Sequence, residues 1–186
     1  MKTRWLAGCV SLLILLVAVQ GAATVVRALS LAELTAEADL IVQATVERQE
    51  VVWDDSKKLI YTLTEVEVVD PLKGPAKVRE RLIIRQIGGE IGDEAILVAG
   101  NARLHPGEEV IVFLDRDEGG AVHYVVGMAQ GKYAVDRRGA EATVTRDLHD
   151  LTLVGSKGQP LKHPTRRPPA LTLADFKGQL RALRAQ

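Results

Sequence analysis

The sequence predicts a mainly β protein, an antiparallel barrel or sandwich with a short helix before it and another helix after it. Three observations predict this fold class. Six or seven segments between residues 40 and 146 alternate polar and apolar residues or are rich in Val, Ile and Thr. Turn residues such as Gly, Pro and Asp separate these segments at short intervals. Strands do not alternate with helical stretches and no repeat occurs, which argues against a parallel sheet.

Residues 1–28 have the pattern of a secretory signal peptide. Two basic residues precede an apolar run over residues 5–19, and small residues follow. The run is shorter than the roughly 20 residues that span a bilayer comfortably, so an uncleaved anchor is the less favoured alternative. Cleavage after Ala23 or after Ala28 fits the small-x-small pattern, and the sequence leaves both positions open. We therefore expect a secreted or periplasmic protein.

Cys9 is the only cysteine of the chain, and Leu6-Ala7-Gly8-Cys9 has the letters of a lipobox. A lipobox follows its apolar segment, whereas the run from Val10 to Val19 comes after the cysteine. We therefore interpret the match as chance and expect no lipid anchor. Removal of the signal peptide leaves a mature chain without cysteine, which excludes disulfides, thiolate metal sites and a cysteine nucleophile.

The mature chain has the size of one domain, and its charge is unevenly distributed. Residues 29–156 carry 14 Lys and Arg against 23 Asp and Glu, whereas residues 157–186 carry seven basic residues against Asp175 alone. An acidic body argues against nucleic acid as a partner. The basic segment either packs on the acidic body, which we favour, or makes weak contact with an anionic surface.

The β-barrel domain is assigned to residues 29–156 and begins with a short helix. Ser30 and Glu33 have the spacing of a capping box, so the helix should start directly after Ser30. A long first strand follows over "LIVQATVERQEVV". After a turn at residues 54–57, the alternating stretch "LIYTLTEVEVVD" predicts a second strand, which residues 71–75 are expected to break.

Further strands are predicted over "ERLIIRQI", "EEVIVFLDR", "AVHYVVG", "KYAVD" and "EATVTR". A looser segment that contains Gly92 and Gly100 separates the first two. The turn at residues 117–120 and the turn at Arg138-Gly139 each predict a hairpin.

The end of the chain has a different composition. Residues 157–170 are rich in Pro, Gly and basic residues and predict an extended linker. Residues 171–186 predict a helix capped by Thr172, with one apolar stripe formed by Leu173, Phe176, Leu180 and Leu183. We expect this stripe to pack on the β domain; docking onto a partner or a membrane is the alternative.

Four stretches recur in an order that resembles a known module: "ADLIVQATV", "VEVVDPLKG", "RLIIRQIGG" and "LHPGEEVIVFLD", over residues 38–115. This arrangement resembles the netrin-like module, an OB-type barrel found in the tissue inhibitors of metalloproteinases. It is also similar to secreted bacterial proteins that have no assigned activity. The resemblance implies an antiparallel OB-like or netrin-like barrel, and fold alone does not imply function.

The chain departs from these inhibitors at the residues that matter for their activity. They chelate the catalytic zinc of the protease through an N-terminal Cys-x-Cys, and the mature chain has no cysteine. Inhibition by that mechanism is therefore unsupported, while inhibition through another surface stays open.

Two glycine-bearing stretches are the candidate contact loops. "GGEIGDEAILVAGN" resembles neither a P-loop nor a dinucleotide-binding turn, because no Gly-Lys-Ser/Thr and no helix follow it. Its glycines suit either a bulge at a barrel corner or a rim loop that contacts a partner. In "GMAQGKYAV", either Gln130, Gly131 and Tyr133 face a groove, or the glycines at 127 and 131 simply start and stop strands. The candidate partner contacts are Gly88, Gly89, Gly92, Gln130, Gly131 and Tyr133.

No catalytic residue, cofactor site or metal site is predicted. His105, His123, His149 and His163 lack the spacing that places two imidazoles on one helical face, and we interpret them as surface or hydrogen-bonded residues. His149 and Asp150 are adjacent and so rarely point the same way, and no Gly-x-Ser-x-Gly elbow supplies a nucleophile. The acidic clusters match no EF-hand loop.

These observations favour an exported, non-enzymatic binding module without a cofactor, whose partner is another exported protein. Two alternatives stay open. One is an exported hydrolase with a dispersed active site. The other is a protease-associated inhibitor or chaperone that acts through its barrel loops.

Overall fold

The computed structural model describes residues 24–148, 150–161 and 171–185. The predicted signal peptide up to residue 23, His149, His163 and most of the predicted linker lie outside the described residues.

The described protein is mainly β, as the sequence predicts, with one helix near its start and one at its end. The elements, in chain order, are β1 (Thr24–Arg27), α1 (Leu31–Glu37), β2 (Leu40–Trp53), β3 (Ile60–Lys73), β4 (Arg81–Ile87), β5 (Gly89–Ile91), β6 (Glu94–Ile96), β7 (Glu109–Arg116), β8 (His123–Val125), a 3-10 turn (Met128–Gly131), β9 (Lys132–Asp136), β10 (Thr143–Thr145), β11 (Leu151–Val154), β12 (Leu171–Thr172) and α2 (Leu173–Arg184).

Both helices begin at the predicted caps. The Ser30 hydroxyl accepts a hydrogen bond from the Glu33 backbone N–H, and the Glu33 carboxylate accepts one from the Ser30 backbone N–H at 2.8 Å, which completes the capping box. At α2, the Thr172 hydroxyl accepts a hydrogen bond from the Asp175 backbone N–H. These bonds satisfy amides that a helix N-terminus otherwise leaves unpaired.

The main sheet has eight strands in the order β12-β10-β9-β7-β2-β3-β4-β8. β8 pairs antiparallel with β7 and parallel with β4. The strand pairings therefore form a closed cycle of five strands, β2, β3, β4, β8 and β7. The strands outside this cycle, β9, β10 and β12, extend the sheet from β7. Two small sheets lie beside it, β1 with β11 and β5 with β6.

Strands β2 and β7 are buried on both faces. Residues 40–44 of β2 and residues 110–114 of β7 form unbroken runs of buried side chains. Because successive side chains of a strand point to opposite faces, each run contributes to two separate apolar clusters.

One cluster fills the space inside the cycle of five strands: Leu40, Val42, Ala44, Val46, Val66, Val68, Leu82, Ile84, Leu104, Val110, Val112 and Leu114. The second cluster lies on the opposite face of β2 and β7, beneath the two helices: Leu29, Leu34, Ala38, Ile41, Leu72, Ile111, Phe113, Val144, Leu173, Phe176 and Leu180.

Helix α2 packs on the sheet through three of the four predicted stripe residues. Leu173, Phe176 and Leu180 are buried, and Leu183 is half-buried. The Lys177 ammonium forms an ion pair with Asp70 of β3 at 2.7 Å. The apolar stripe is thus covered by the chain itself, as the favoured interpretation of the sequence expected.

Strand β3 continues through Pro71 to Lys73, so the predicted break at residues 71–75 is wrong. Pro71 lies opposite Val42, between two register shifts of the β2–β3 pairing. Such irregular positions tolerate proline because the ladder does not need its missing N–H. The chain turns instead at Gly74, whose φ is +86° and where a Cβ would lie 2.6 Å from the Asp39 carbonyl oxygen.

Five strands were not foreseen: β1, β5, β6, β11 and β12. The predicted looser segment forms the hairpin of β5 and β6. Strand β1 lies inside the range assigned to the signal peptide and pairs parallel with β11, with Thr24 opposite Leu151 and Arg27 opposite Val154.

A cation–π arrangement spans the strands where the cycle closes. The Arg85 guanidinium of β4 lies 5.1 Å from the ring centroids of both Tyr61 of β3 and Tyr124 of β8. Arg85 also donates a hydrogen bond to the Tyr124 hydroxyl. Because β4 and β8 share a single residue pair, Ile84 with His123, this side-chain contact reinforces a short junction.

We expect Phe176→Ala to lower the free energy of unfolding by about 3–5 kcal/mol, because it removes a buried aromatic side chain between α2 and the sheet. Urea unfolding followed by circular dichroism measures the change. Gln179→Ala, on the exposed face of the same helix, is the matched control and should change the midpoint little. Equal stability of the Phe176→Ala variant and the parent would show that α2 does not dock as described.

Candidate functional site

Three of the predicted contact residues, Gly88, Gly89 and Gly92, lie on or beside the β5–β6 hairpin. Gly88 and Gly89 have φ of +116° and +142°. A Cβ on Gly89 would lie 2.5 Å from Cγ1 of Val51, so the hairpin approaches β2 at a distance that requires glycine. These close approaches give Gly88 and Gly89 a structural role, whereas a Cβ on Gly92 would meet nothing within 4 Å.

The other three, Gln130, Gly131 and Tyr133, lie where the 3-10 turn enters β9. Gln130 and Gly131 are buried. The Tyr133 ring packs between Phe113 and Phe176, with centroid distances of 5.9 and 4.5 Å. Burial of the Tyr133 phenol raises its pKa above the ordinary value of 10.0.

Residues 99–102 lie between these two groups and contact both. The Asn101 side-chain amide donates to the Ile87 carbonyl beside the hairpin, and the Gly100 carbonyl accepts from the Ala129 backbone N–H of the 3-10 turn. The contacts described for both groups are made within the chain. Their role in partner binding stays a prediction.

A polar cleft of about 280 Å³ lies next to the 3-10 turn. Its centre is an ion pair between the buried Lys132 ammonium and the Glu108 carboxylate, 2.5 Å apart. Arg103 and Asp150 form a second ion pair at its edge, and His105 also lines it. None of the lining residues carries a hydroxyl or thiol, so the cleft supplies no nucleophile of the kind that serine and cysteine hydrolases use.

Clustered carboxylates supply the oxygen ligands that hard metal ions prefer. Among residues 24–148, 150–161 and 171–185, no group of three or more His, Cys, Asp and Glu side chains is arranged to hold a metal ion.

A wider groove of about 710 Å³ lies where β4 meets β8, between the loop of residues 74–80 and the turn of residues 117–122. Four cationic side chains line it against one carboxylate, that of Glu80. We call it the basic groove and define it by Lys77, Arg79, Arg81, Arg116 and His123.

The loop on one side of the basic groove is held in place by backbone hydrogen bonds. The Arg79 N–H donates to the Val68 carbonyl at 2.7 Å, and the Val68 N–H donates to the Glu80 carbonyl at 2.9 Å. The Glu80 carboxylate accepts from the Lys77 N–H at 2.7 Å. Arg79 has φ of +65°, a left-handed conformation that costs of order 1 kcal/mol for a residue with a Cβ. These hydrogen bonds therefore fix the backbone conformation of the loop.

The other side of the basic groove is the end of β7 and its hairpin. The Arg116 N–H donates to carboxylate oxygens of Asp39 and Asp115. Arg116 pairs with His123 across the two strands. The hairpin and the loop therefore present their cations from two separate elements of the fold.

Three of the four cations have no ion-pair partner among the described residues. Arg81 contacts Glu65 at 3.2 Å, and Glu65 also binds Arg48. Lys77, Arg79 and Arg116 form no such contact within the described ranges. Like charges gathered in one groove repel each other, and an anion bound between them relieves that repulsion.

His123 lies at the floor of the basic groove and is only 5% exposed. Its Nδ1 lies 3.4 Å from the Ile83 carbonyl oxygen. Burial lowers its pKa below the ordinary value of 6.5, and the charge of Arg116 acts in the same direction, while the Ile83 carbonyl, Asp117 and Glu80 oppose them. The imidazole is therefore neutral at pH 7.

Sequence reasoning missed the basic groove. The stretch "KGPAKVRERL" is dense in basic residues within an acidic domain, and this density was the available signal. Arg116 and His123 come from more distant parts of the chain, and only the β7–β8 and β4–β8 pairings bring them to the loop.

Comparisons with protein-family models, with curated proteins and with solved structures gave no match. Among the residues that the structure describes, neither helix combines the length and the apolar character that crossing a membrane requires.

We expect the stability of the protein to fall as the pH is lowered through 6.5. The unfolded state binds a proton at His123 near pH 6.5, whereas the folded state binds it only at lower pH, so acidification favours unfolding. Urea midpoints measured between pH 7.5 and 5 should fall less in a His123→Gln variant than in the parent.

The exposed His105 supplies the matched control for this experiment. His105→Gln makes the same substitution at an exposed imidazole and controls for the loss of a histidine side chain as such. A His123→Gln variant whose midpoint falls with pH as steeply as that of the parent would contradict the assignment.

Proposed function

We propose that this protein is an exported binding module, without catalytic activity of its own, whose basic groove takes an acidic segment of another exported protein. The observation that carries the proposal is the set of three cations, Lys77, Arg79 and Arg116, that face one groove without ion-pair partners among the described residues.

Charge supports an anionic ligand. The domain of residues 29–156 has nine more acidic than basic residues, yet the basic groove gathers four cations around one carboxylate. Arginine side chains bind carboxylates through two parallel hydrogen bonds, which gives both energy and orientation. A ligand that carries carboxylates would supply the partners that the domain itself does not.

Shape and apolar contacts support a protein segment over a small anion. The groove of about 710 Å³ is open to solvent, and the same loop adds Pro75, Ala76 and Val78 to its lining. The Val78 side chain is 59% exposed. We therefore expect a ligand in which an apolar side chain lies beside the carboxylates.

The basic groove lies on the cycle of five strands, whose fold type the proposal includes. We propose that the cycle of β2, β3, β4, β8 and β7 is an OB-like barrel. The closed series of pairings, the parallel contact between β4 and β8 and the apolar cluster inside the cycle support this assignment. That the chain is related to the netrin-like module stays a prediction, based on the resemblance over residues 38–115.

Export is supported by the sequence of residues 1–28. A basic start, an apolar run and small residues at two candidate cleavage positions are typical of a Sec signal peptide. The absence of cysteine from the rest of the chain is compatible with an oxidising compartment, because no thiol is at risk there.

The residues of the basic groove do not favour the hydrolase alternative. Its lining includes no Ser, Thr, Cys or Tyr, and its one carboxylate, Glu80, is bound to the Lys77 backbone N–H. Inhibition of a protease through this groove would be one form of the proposed binding.

A fluorescent deca-glutamate peptide tests the proposal by anisotropy with the purified protein. We expect binding at low ionic strength that weakens as salt is added, because the contacts are between charges. Reversal of two charges in Arg79→Glu/Arg116→Glu should weaken binding by about tenfold or more, which corresponds to about 1.4 kcal/mol.

Lys57→Glu/Lys58→Glu is the matched control, since it makes the same charge change in the exposed turn between β2 and β3. The basic groove lies near the other ends of these strands. Equal weakening by Lys57→Glu/Lys58→Glu would indicate attraction to overall charge and would contradict a groove site. A single-stranded oligonucleotide or vesicles of anionic lipid that bind while the peptide does not would overturn the choice of partner.

A further inference from the structure

The structure distinguishes the two signal-peptide cleavage positions that the sequence leaves open. Cleavage after Ala28 would remove strand β1, whereas cleavage after Ala23 would leave it complete. The inference below rests on the proposed export of the chain.

Strand β1 makes backbone and side-chain contacts with three other parts of the molecule. It pairs with β11 along its full length. The Thr24 hydroxyl donates to the Ala99 carbonyl at 2.6 Å. The Arg27 guanidinium binds Glu33 and Glu37 of α1 at 2.5 and 3.2 Å.

Gln130 depends most directly on this strand. Its side chain is 1% exposed, and both of its polar atoms bind the N-terminal segment. Its Nε2 donates to the Arg27 carbonyl at 3.0 Å, and its Oε1 accepts from the Leu29 N–H at 2.8 Å. Buried amide groups are costly when they lose their hydrogen-bond partners.

Cleavage after Ala28 would break this arrangement twice. The Arg27 carbonyl would be lost, and the buried Nε2 of Gln130 would have no acceptor. Leu29, which is 9% exposed, would carry the new terminal ammonium, so a charge would replace a neutral amide at a buried position. Cleavage after Ala23 places the ammonium on the half-exposed Thr24 at the start of β1.

We propose that the signal peptide is cleaved between Ala23 and Thr24, so that the exported protein begins Thr-Val-Val-Arg. The reaction is hydrolysis of this peptide bond. Water gives its hydroxyl to the Ala23 carbonyl carbon and its proton to the Thr24 nitrogen. Gly21 and Ala23 are then the two small residues that the peptidase recognises.

The full chain expressed in a bacterium with Sec export tests the proposal, with the mature N-terminus read by Edman sequencing and intact mass. A protein that begins at Thr24 supports it. A protein that begins at Leu29 overturns it while leaving export intact. A chain that stays uncleaved in the cytoplasm overturns both the cleavage position and the proposed export.

Two matched substitutions in the full chain sharpen the test. Ala23→Leu places a large side chain directly before the proposed bond and should abolish the mature species. Ala28→Leu makes the same change before the other candidate bond and should leave the start at Thr24, with only the mass of the substitution added. The opposite pattern, in which Ala28→Leu blocks processing and Ala23→Leu does not, would overturn the proposal.

Discussion

Burial of β2 and β7 on both faces is the constraint on which the rest of the structure depends. One face of each strand supplies the cluster inside the cycle of five strands, and the other supplies the cluster under α1 and α2. Without the helices, Ile41 and Phe113 would face water, so the two helices are part of the core. The pattern of these strands alone would allow a slip of one residue, since both faces are apolar. Their alternating neighbour β3 and the tight turns must set the register.

This arrangement also determines which surfaces are free. The helices cover the outer face of β2 and β7. Strands β9, β10 and β12 extend the sheet beyond the edge of β7. The ends of β4, β7 and β8 stay accessible, and the basic groove lies there. Loops anchored on a rigid sheet are common places for binding residues, because the sheet fixes their geometry while their side chains are free to vary. The hydrogen bonds of Arg79 and Glu80 to Val68 are an example of such anchoring.

The N-terminal strand is held by a different kind of interaction. Val25 is exposed, so apolar burial contributes little to the position of β1. Backbone pairing with β11 and the two hydrogen bonds of Gln130 hold it instead. A buried amide that is hydrogen-bonded through both its nitrogen and its oxygen gives directional attachment at the edge of the fold. Lys132, two residues after Gln130 in the sequence, is also buried and forms an ion pair with the half-buried Glu108.

The sequence by itself determined the elements whose signals are local. The capping residues Ser30 and Thr172, the apolar spacing of Leu173, Phe176 and Leu180, and most strand and turn positions follow from neighbouring residues, because caps, turns and periodicity act over a few positions. The tertiary structure alone decided the rest: the passage of β3 through Pro71, the pairing of β1 with β11, the burial of Gln130 and the approach of Arg116 to Arg79. Each of these depends on contacts between residues far apart in the chain. Such a contact contributes to stability only once the sheet has brought the two segments together. A local sequence pattern therefore cannot predict it.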